Sequence, residues 1–203
     1  MRVFFVALGL SALVLLGACT KPVVWASDAE VSAARYRHSG SAEIMLFNVI
    51  SHETGKGEHS ALMISASERV LFDPAGSWAH REAPERHDLH HGFNDRMLFM
   101  YTFYHARRTH YVQTHRLRVN PEVAEAILTR ARAVGPVPDS YCARSIATLL
   151  RGVEGFESLP VTWLPNSLSA AFAQLPGVVE EQFHSDREPT VRRAAQPQPQ
   201  AVN

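Results

Sequence analysis

Cysteine is scarce in this chain: two residues in 203, Cys19 and Cys142, too few for the disulfide framework that holds small exported folds together. A charge of one sign is absent as well, with 20 basic against 20 acidic residues, which gives no reason to expect nucleic acid as a partner. No apolar run reaches the about 20 residues that a permanent membrane span needs. There is no internal repeat. What remains, 46% hydrophobic residues over a length of this order, fits one domain with its own core, and its apolar positions are mostly explained by that core, so a monomer is expected.

The longest apolar run, VFFVALGLSALVLL at residues 3–16, follows Arg2 and precedes Gly17, Ala18 and Cys19. A basic residue, a short apolar stretch and a small-residue cleavage point are the order of an export signal. Leu16-Gly17-Ala18-Cys19 resembles the lipobox of bacterial lipoproteins. The resemblance implies that residues 1–18 are removed, that Cys19 is lipidated, and that the membrane is a partner. Thr20 after the cysteine resembles lipoproteins sent to the outer membrane, facing the periplasm. Residues 19–41 show little apolar periodicity and are expected to act as a tether, with Val23, Val24 and Trp25 available to dock. Residues 188–203, with three prolines and the PQPQ run, are expected to be disordered, which leaves residues 42–187 as the domain.

With Cys19 committed to lipid, Cys142 has no disulfide partner and is a candidate reactive group. Asp139 or Ser140 can cap a helix whose first turn carries Cys142. There the free N–H groups and the helix dipole favour a thiolate. The other reading of Cys142 is a small buried hydrophobe. A thiolate nucleophile needs a base, and the base needs an orienting acceptor. Residues 43–50 (EIMLFNVI), 59–65 (HSALMIS) and 70–73 (VLFD) read as a three-stranded antiparallel meander. In it His59 starts the second strand and Asp73 ends the third, at the same end of the sheet. Residues 93–107 have helical spacing, 109–119 read as a fourth strand, and Asn120-Pro121-Glu122 opens a further helix.

These residues, GEHSALMI at 57–64, VLFDPAGS at 70–77 and Tyr141-Cys142 at a helix start, together resemble the permuted papain-like branch of the NlpC-type cysteine hydrolases. There the histidine strand precedes the cysteine helix. The resemblance spans about residues 43–176 and implies an α+β, permuted papain-like fold, with an antiparallel β-meander packed against a cysteine-bearing helix and further helices. It also gives residues 164–168 (LPNSL) a place, at the opening of a last helix. Carried over by position, Cys142 is the nucleophile, His59 the base and Asp73 the orienting residue, with Glu58 or His52 as alternatives for the third place. The Cys142 backbone N–H is expected in an oxyanion hole.

The rival chemistry is a metal site at His87, Asp88, His90 and His91, or along His105, His110 and His115. The first group has the i, i+4 spacing of a zinc pair but sits in a polar, Gly92-containing stretch; the second, read on a strand, would face alternate sides. Neither metal nor cofactor is expected, and a solvated surface accounts for the second group. Two functions follow: a lipid-anchored hydrolase or acyltransferase working through an acyl-enzyme on Cys142, with a peptidoglycan stem peptide or other envelope amide or ester as substrate, or an inactive envelope protein that binds a partner or ligand in the same groove.

Overall fold

The computed structural model describes residues 24–193. The apolar run, the lipobox and the PQPQ segment lie outside them. Strands β1 (Glu43–Ser51) and β2 (Gly57–Ser65) form a hairpin in which Phe47 faces Ala61, and β3 (Arg69–Phe72) continues the meander with Phe72 opposite Leu62. The hairpin turns at Gly55, whose φ of 65° lies in the left-handed region open to glycine. Two short strands, β4 (Glu85–Arg86) and β5 (Leu89–His90), extend the sheet beyond β3. On the other side β6 (His110–Arg118) pairs with β1, followed by β7 (Val179–His184) and β8 (Arg187–Arg193). The result is one open eight-stranded antiparallel sheet in the order β4-β5-β3-β2-β1-β6-β7-β8, and with the helices an α+β fold.

The middle strands are buried on both faces, so their sequences read as continuous apolar runs rather than as alternations. Alternate residues nonetheless divide into two cores. Ile44, Leu46, Leu62, Ile64, Val70 and Phe72 face one core, to which α3 (Pro121–Val134), α4 (Cys142–Leu150) and α5 (Pro165–Phe172) contribute. Met45, Phe47, Ala61, Met63 and Leu71 face the other, covered by α2 (Asp95–His105). Helix α3 begins at a proline, whose missing N–H costs nothing there, and buries Ala124, Ile127, Leu128 and Ala131, one stripe at i, i+3, i+4 and i+7.

Several segments differ from the sequence reading. The expected tether contains α1 (Asp28–Ala34), started by a capping box in which Ser27 and Glu30 satisfy each other's free N–H groups. The chain is fixed just before it: Ala26 N–H donates to the Glu85 carbonyl at 2.9 Å, and Trp25 packs edge-on against His87. The stretch expected to be disordered from Glu188 is paired with β7 as far as Arg193, because backbone ladder bonds need no apolar side chains. Helix α2 is shorter than residues 93–107, starting after Asn94, whose side chain accepts from Met97 N–H at 3.0 Å.

One buried charge ties the meander to the helices. Glu68, 2% exposed, accepts from the Arg132 guanidinium, lies 3.5 Å from His91 Nδ1 and 3.8 Å from Arg35 Nε. Burial pushes its carboxyl up, but His91 and Arg132 outweigh this and hold it at about 2. A carboxylate depressed in the folded state contributes stability that is present above its unfolded value of about 4.3 and is lost as pH falls toward about 2. Glu68→Gln, which leaves the partly solvated Arg132 without its counter-charge, is expected to cost about 1 kcal/mol at neutral pH and to flatten the acid limb of the stability curve in denaturant titrations. An unchanged curve would exclude the pairing.

Candidate active site

The site forms where the sheet runs out of strands on one flank. Strand β3 stops at Phe72 opposite Leu62, whereas β2 extends back to Gly57. The start of β2 is therefore an open edge on that side, and α4 packs against β2. Cys142 is the first residue of α4 and is 5% exposed. Its sulfur takes hydrogen bonds from the backbone N–H groups of Ser60, in the open part of β2, and of Ala143, in the first helical turn. Neither Asp139 nor Ser140 caps this helix. The N-cap is Tyr141, with no side-chain capping bond, and Ser140 sits at φ 69° in the turn before it. A side-chain cap would compete for the first-turn donors; without one, the Ala143 N–H serves the thiol.

Asp73 leaves β3 in a tight turn: its N–H donates to the Asp88 carbonyl at 2.8 Å and its own carbonyl accepts from Gly76 N–H at 2.9 Å. The carboxylate, 1% exposed, accepts through Oδ1 from His59 Nε2 at 2.6 Å and from the Tyr101 hydroxyl at 2.8 Å. Its Oδ2 faces His90 Nε2 at 3.9 Å. Burial alone would raise this carboxyl. The bond and charge of His59, with help from His90 and Tyr101, instead hold it below the usual carboxylate range.

With Nε2 on Asp73, the His59 ring leaves Nδ1 for the Cys142 thiol, with which it also hydrogen-bonds. Burial disfavours the charged imidazole, but hydrogen bonds to Asp73 and Cys142 outweigh it and carry His59 to about 10. Cys142 moves the opposite way. Burial pushes the thiol up, and the His59 bond and charge, followed by the two backbone donors, bring it below its ordinary value. The three residues singled out from the sequence thus meet as a chain, Asp73–His59–Cys142, in which the ionised Asp73 favours a charged His59 and the charged His59 favours the thiolate of Cys142.

The alternatives for the third place have other partners. Glu58 accepts from His110 Nε2 at 2.7 Å, and His52 stacks with His184 and packs, tilted, against Tyr111. The proposed metal ligands disperse as well. His90 Nδ1 lies 3.4 Å from the Ala83 carbonyl, His91 goes to Glu68, and Asp88 Oδ2 accepts from Val137 N–H at 2.6 Å. Among the described residues no group of three or more His, Cys, Asp or Glu is placed to hold a metal ion.

Two members of the site were not read from the sequence. Tyr101 and His105 lie one turn apart on α2 and come at the triad from the opposite core. Tyr101 is fully buried among Phe47, Trp78 and Phe93 with its hydroxyl on Asp73. His105 stacks on the His59 ring at 5.7 Å and meets the Tyr101 ring, tilted, at 4.5 Å; burial lowers it to about 4, so it is neutral beside the charged His59. The expectation that His105, His110 and His115 are solvated surface is corrected by these contacts. His105 is a helix residue, and His115, 1% exposed, bonds the Ser169 hydroxyl at 2.6 Å. The helical spacing around Tyr101 and His105 was visible in the sequence, but nothing there placed that helix over Asp73.

A cavity of about 370 Å³ opens beside His59, lined by Glu58, Tyr104, His105, Arg107 and His110 among others. Tyr141, the residue before Cys142, meets Trp163 edge to face at 4.4 Å, with the Arg144 guanidinium over the indole at 4.8 Å. Compared with family models, curated proteins and solved structures, the chain matches none of them.

Proposed function

We propose that this protein is a lipid-anchored cell-envelope cysteine hydrolase or acyltransferase of the permuted papain-like kind, with Cys142 as nucleophile, His59 as acid and base, and Asp73 as the residue that orients His59. The observation that carries this reading is the Asp73–His59–Cys142 chain, which draws a thiol at a helix start below its ordinary pKa and whose His59 borders an open recess. A buried cysteine kept only for packing needs neither a charged imidazole nor backbone donors aimed at its sulfur.

The chemistry follows from the charges. The Cys142 thiolate attacks the carbonyl carbon of an amide or ester, forming the C–S bond while the carbonyl π electrons move to oxygen. First-turn N–H groups of α4, with that of Cys142 foremost, stabilise this oxyanion. The intermediate collapses by breaking the bond to nitrogen or oxygen, and the imidazolium of His59 gives its Nδ1 proton to the leaving group. Neutral His59 then takes a proton from water or another acceptor as that group attacks the thioester, and Cys142 leaves as thiolate. Asp73 keeps the ring in position and favours its charged form throughout. An amide of the envelope, such as a peptidoglycan stem peptide, is the first substrate class, given a protein anchored through Cys19.

The test uses the chain from residue 19 with Cys19→Ser, so that Cys142 is the only thiol. Mixed with p-nitrophenyl acetate, it is expected to release one equivalent of p-nitrophenolate in a burst and to carry an acetyl group on Cys142 by peptide mass spectrometry. Cys142→Ala should show neither. A folded chain that gives no burst and no adduct would leave the binding-protein reading in its place.

A further inference from the structure

Helix α2 is apolar nearly all round, a pattern that belongs to helices covered on every side, yet only one side of it is covered. Met97 and Tyr101 are buried against the sheet, with Phe93 just ahead of the helix. On the opposite side Phe99 is 56% exposed and Phe103 51% exposed, one turn apart with their rings stacked at 5.9 Å. Met100 and Tyr104 extend the same patch. Isolated exposed apolar residues need no explanation, but four on one face of an eleven-residue helix do.

We propose that this face is a membrane-binding surface, with Phe99, Met100, Phe103 and Tyr104 bedded in the boundary between phospholipid headgroups and acyl chains. Three observations favour a bilayer as the occupant. The first is composition: a phenylalanine pair and a methionine with a tyrosine at the margin match residues that partition into that zone. The second is the rim. Arg107 lies with its guanidinium over the Tyr104 ring at 4.4 Å, its Nε donating to the Tyr104 carbonyl at 2.8 Å, and remains exposed, as is Arg108 next in the chain, so that the end of the helix carries two cations beside an apolar base. The acidic groups at the other end of the helix are already paired, Asp95 with Arg69 and Glu82 with Arg96, each at 2.6 Å.

The third is the anchor, and here the inference rests on the lipidation of Cys19. The chain is pinned to β4 at Ala26, so only six residues lie between the pin and Cys19, a reach of at most about 25 Å. The pin is close to α2. Glu82, three residues before Glu85, holds Arg96 of α2, and a Cβ placed on Gly92, just ahead of α2, would meet the carbonyls of both Ala34 and Glu82 within 3 Å. A bilayer holding Cys19 is thus held to the side of the domain where α2 begins. The anchor brings the domain to the bilayer, and contact through α2 fixes how the domain faces it. Tyr104 and Arg107 also line the recess beside His59, so docking sets the mouth of that recess at the membrane surface.

The test removes the lipid but keeps the chain. The protein from residue 19 with Cys19→Ser is titrated with vesicles of phosphatidylethanolamine and phosphatidylglycerol, alongside the same chain carrying Phe99→Ser and Phe103→Ser. The unsubstituted chain is expected to sediment with vesicles, to remain bound in high salt because apolar burial drives the contact, and to lose about tenfold or more in partitioning with the double substitution. Circular dichroism and Cys142 alkylation, unchanged in the variant, would show that its fold and site are intact. No binding by the unsubstituted chain, or equal binding by both, overturns the proposal. So does a dimer in sedimentation equilibrium that the double substitution dissolves, which would make a second copy the occupant. The phenolate burst does not enter these readings, so an inactive Cys142 leaves them unaffected.

Discussion

His59→Ala is expected to slow alkylation of Cys142 by about tenfold or more near pH 6.5. The imidazolium is the main influence bringing the thiol below its ordinary value against burial. Without it, burial works unopposed except by the Ser60 and Ala143 donors, and the thiol returns toward or above the ordinary value of about 8.5, where about 1% is thiolate at pH 6.5. The fall in rate is smaller than the fall in thiolate, because a thiolate of higher pKa is the stronger nucleophile. Asp73→Asn is expected to act in the same direction and less strongly. It removes the charge that favours the imidazolium but keeps an oxygen able to accept from His59. Rates of iodoacetamide labelling at several pH values, on variants whose melting shows a folded state, check both. Equal rates in wild type and His59→Ala would break the chain of charge at its middle.

The second large effect is expected from a residue with no chemistry of its own. A Cβ on Gly76 would fall 1.9 Å from Asp73 Oδ2 and 2.3 Å from its Cγ. An exposed, flexible neighbour would move aside, but Asp73 is buried and held by His59, Tyr101 and the turn that Gly76 itself closes. Gly76→Ala is therefore expected to displace the carboxylate and leave buried partners unpaired, at a cost of about 2–4 kcal/mol, and to reduce alkylation at least as far as Asp73→Asn. Gly55→Ala is the control. That glycine has a φ of 65° but nothing within 4 Å of an added Cβ, so it should lose only about 1–2 kcal/mol of backbone strain and leave Cys142 reactivity unchanged. Urea unfolding and labelling rates read both variants; a Gly76→Ala protein matching wild type in both would show that Asp73 has room the structure does not give it.

The contrast between these two glycines shows what the sequence made legible. The Gly55 turn follows from two apolar β-runs either side of a Thr-Gly-Lys-Gly stretch, a local signal. The crowding at Gly76 depends on where a side chain three residues earlier points. The same division runs through the site. His59, Asp73 and Cys142 were legible because each falls within two residues of an element's end, and in an antiparallel meander those ends come together. Tyr101 and His105 were not, since their place depends on α2 crossing the second face of the sheet, which no local pattern encodes. The capping expectation at Asp139 and Ser140 rested on residue type alone, and the backbone turned at Ser140 instead.

At the chain's margins the errors have a common cause. Strand β7 has the sequence VEEQFH with every residue half-buried, so neither strict alternation nor an apolar run announces it, and β8 is held by pairing with β7. Helix α1 buries none of its residues, so hydrophobic periodicity cannot reveal it, although its Ser27–Glu30 capping box is a local signal. Such elements are fixed by backbone partners more than by apolar surface, and backbone hydrogen bonding is uniform along a chain.

The thiolate–imidazolium pair is tested most directly by the pH dependence of Cys142 alkylation in the chain from residue 19 carrying Cys19→Ser. The pair predicts labelling that is already rapid below neutral pH. It also predicts that His59 keeps its charge until pH rises through about 10, visible as a second change in rate there when the imidazolium is lost. Labelling that rises only through the ordinary thiol range near pH 8.5, with no inflection near 10, would contradict it and leave Cys142 as a buried side chain beside a histidine.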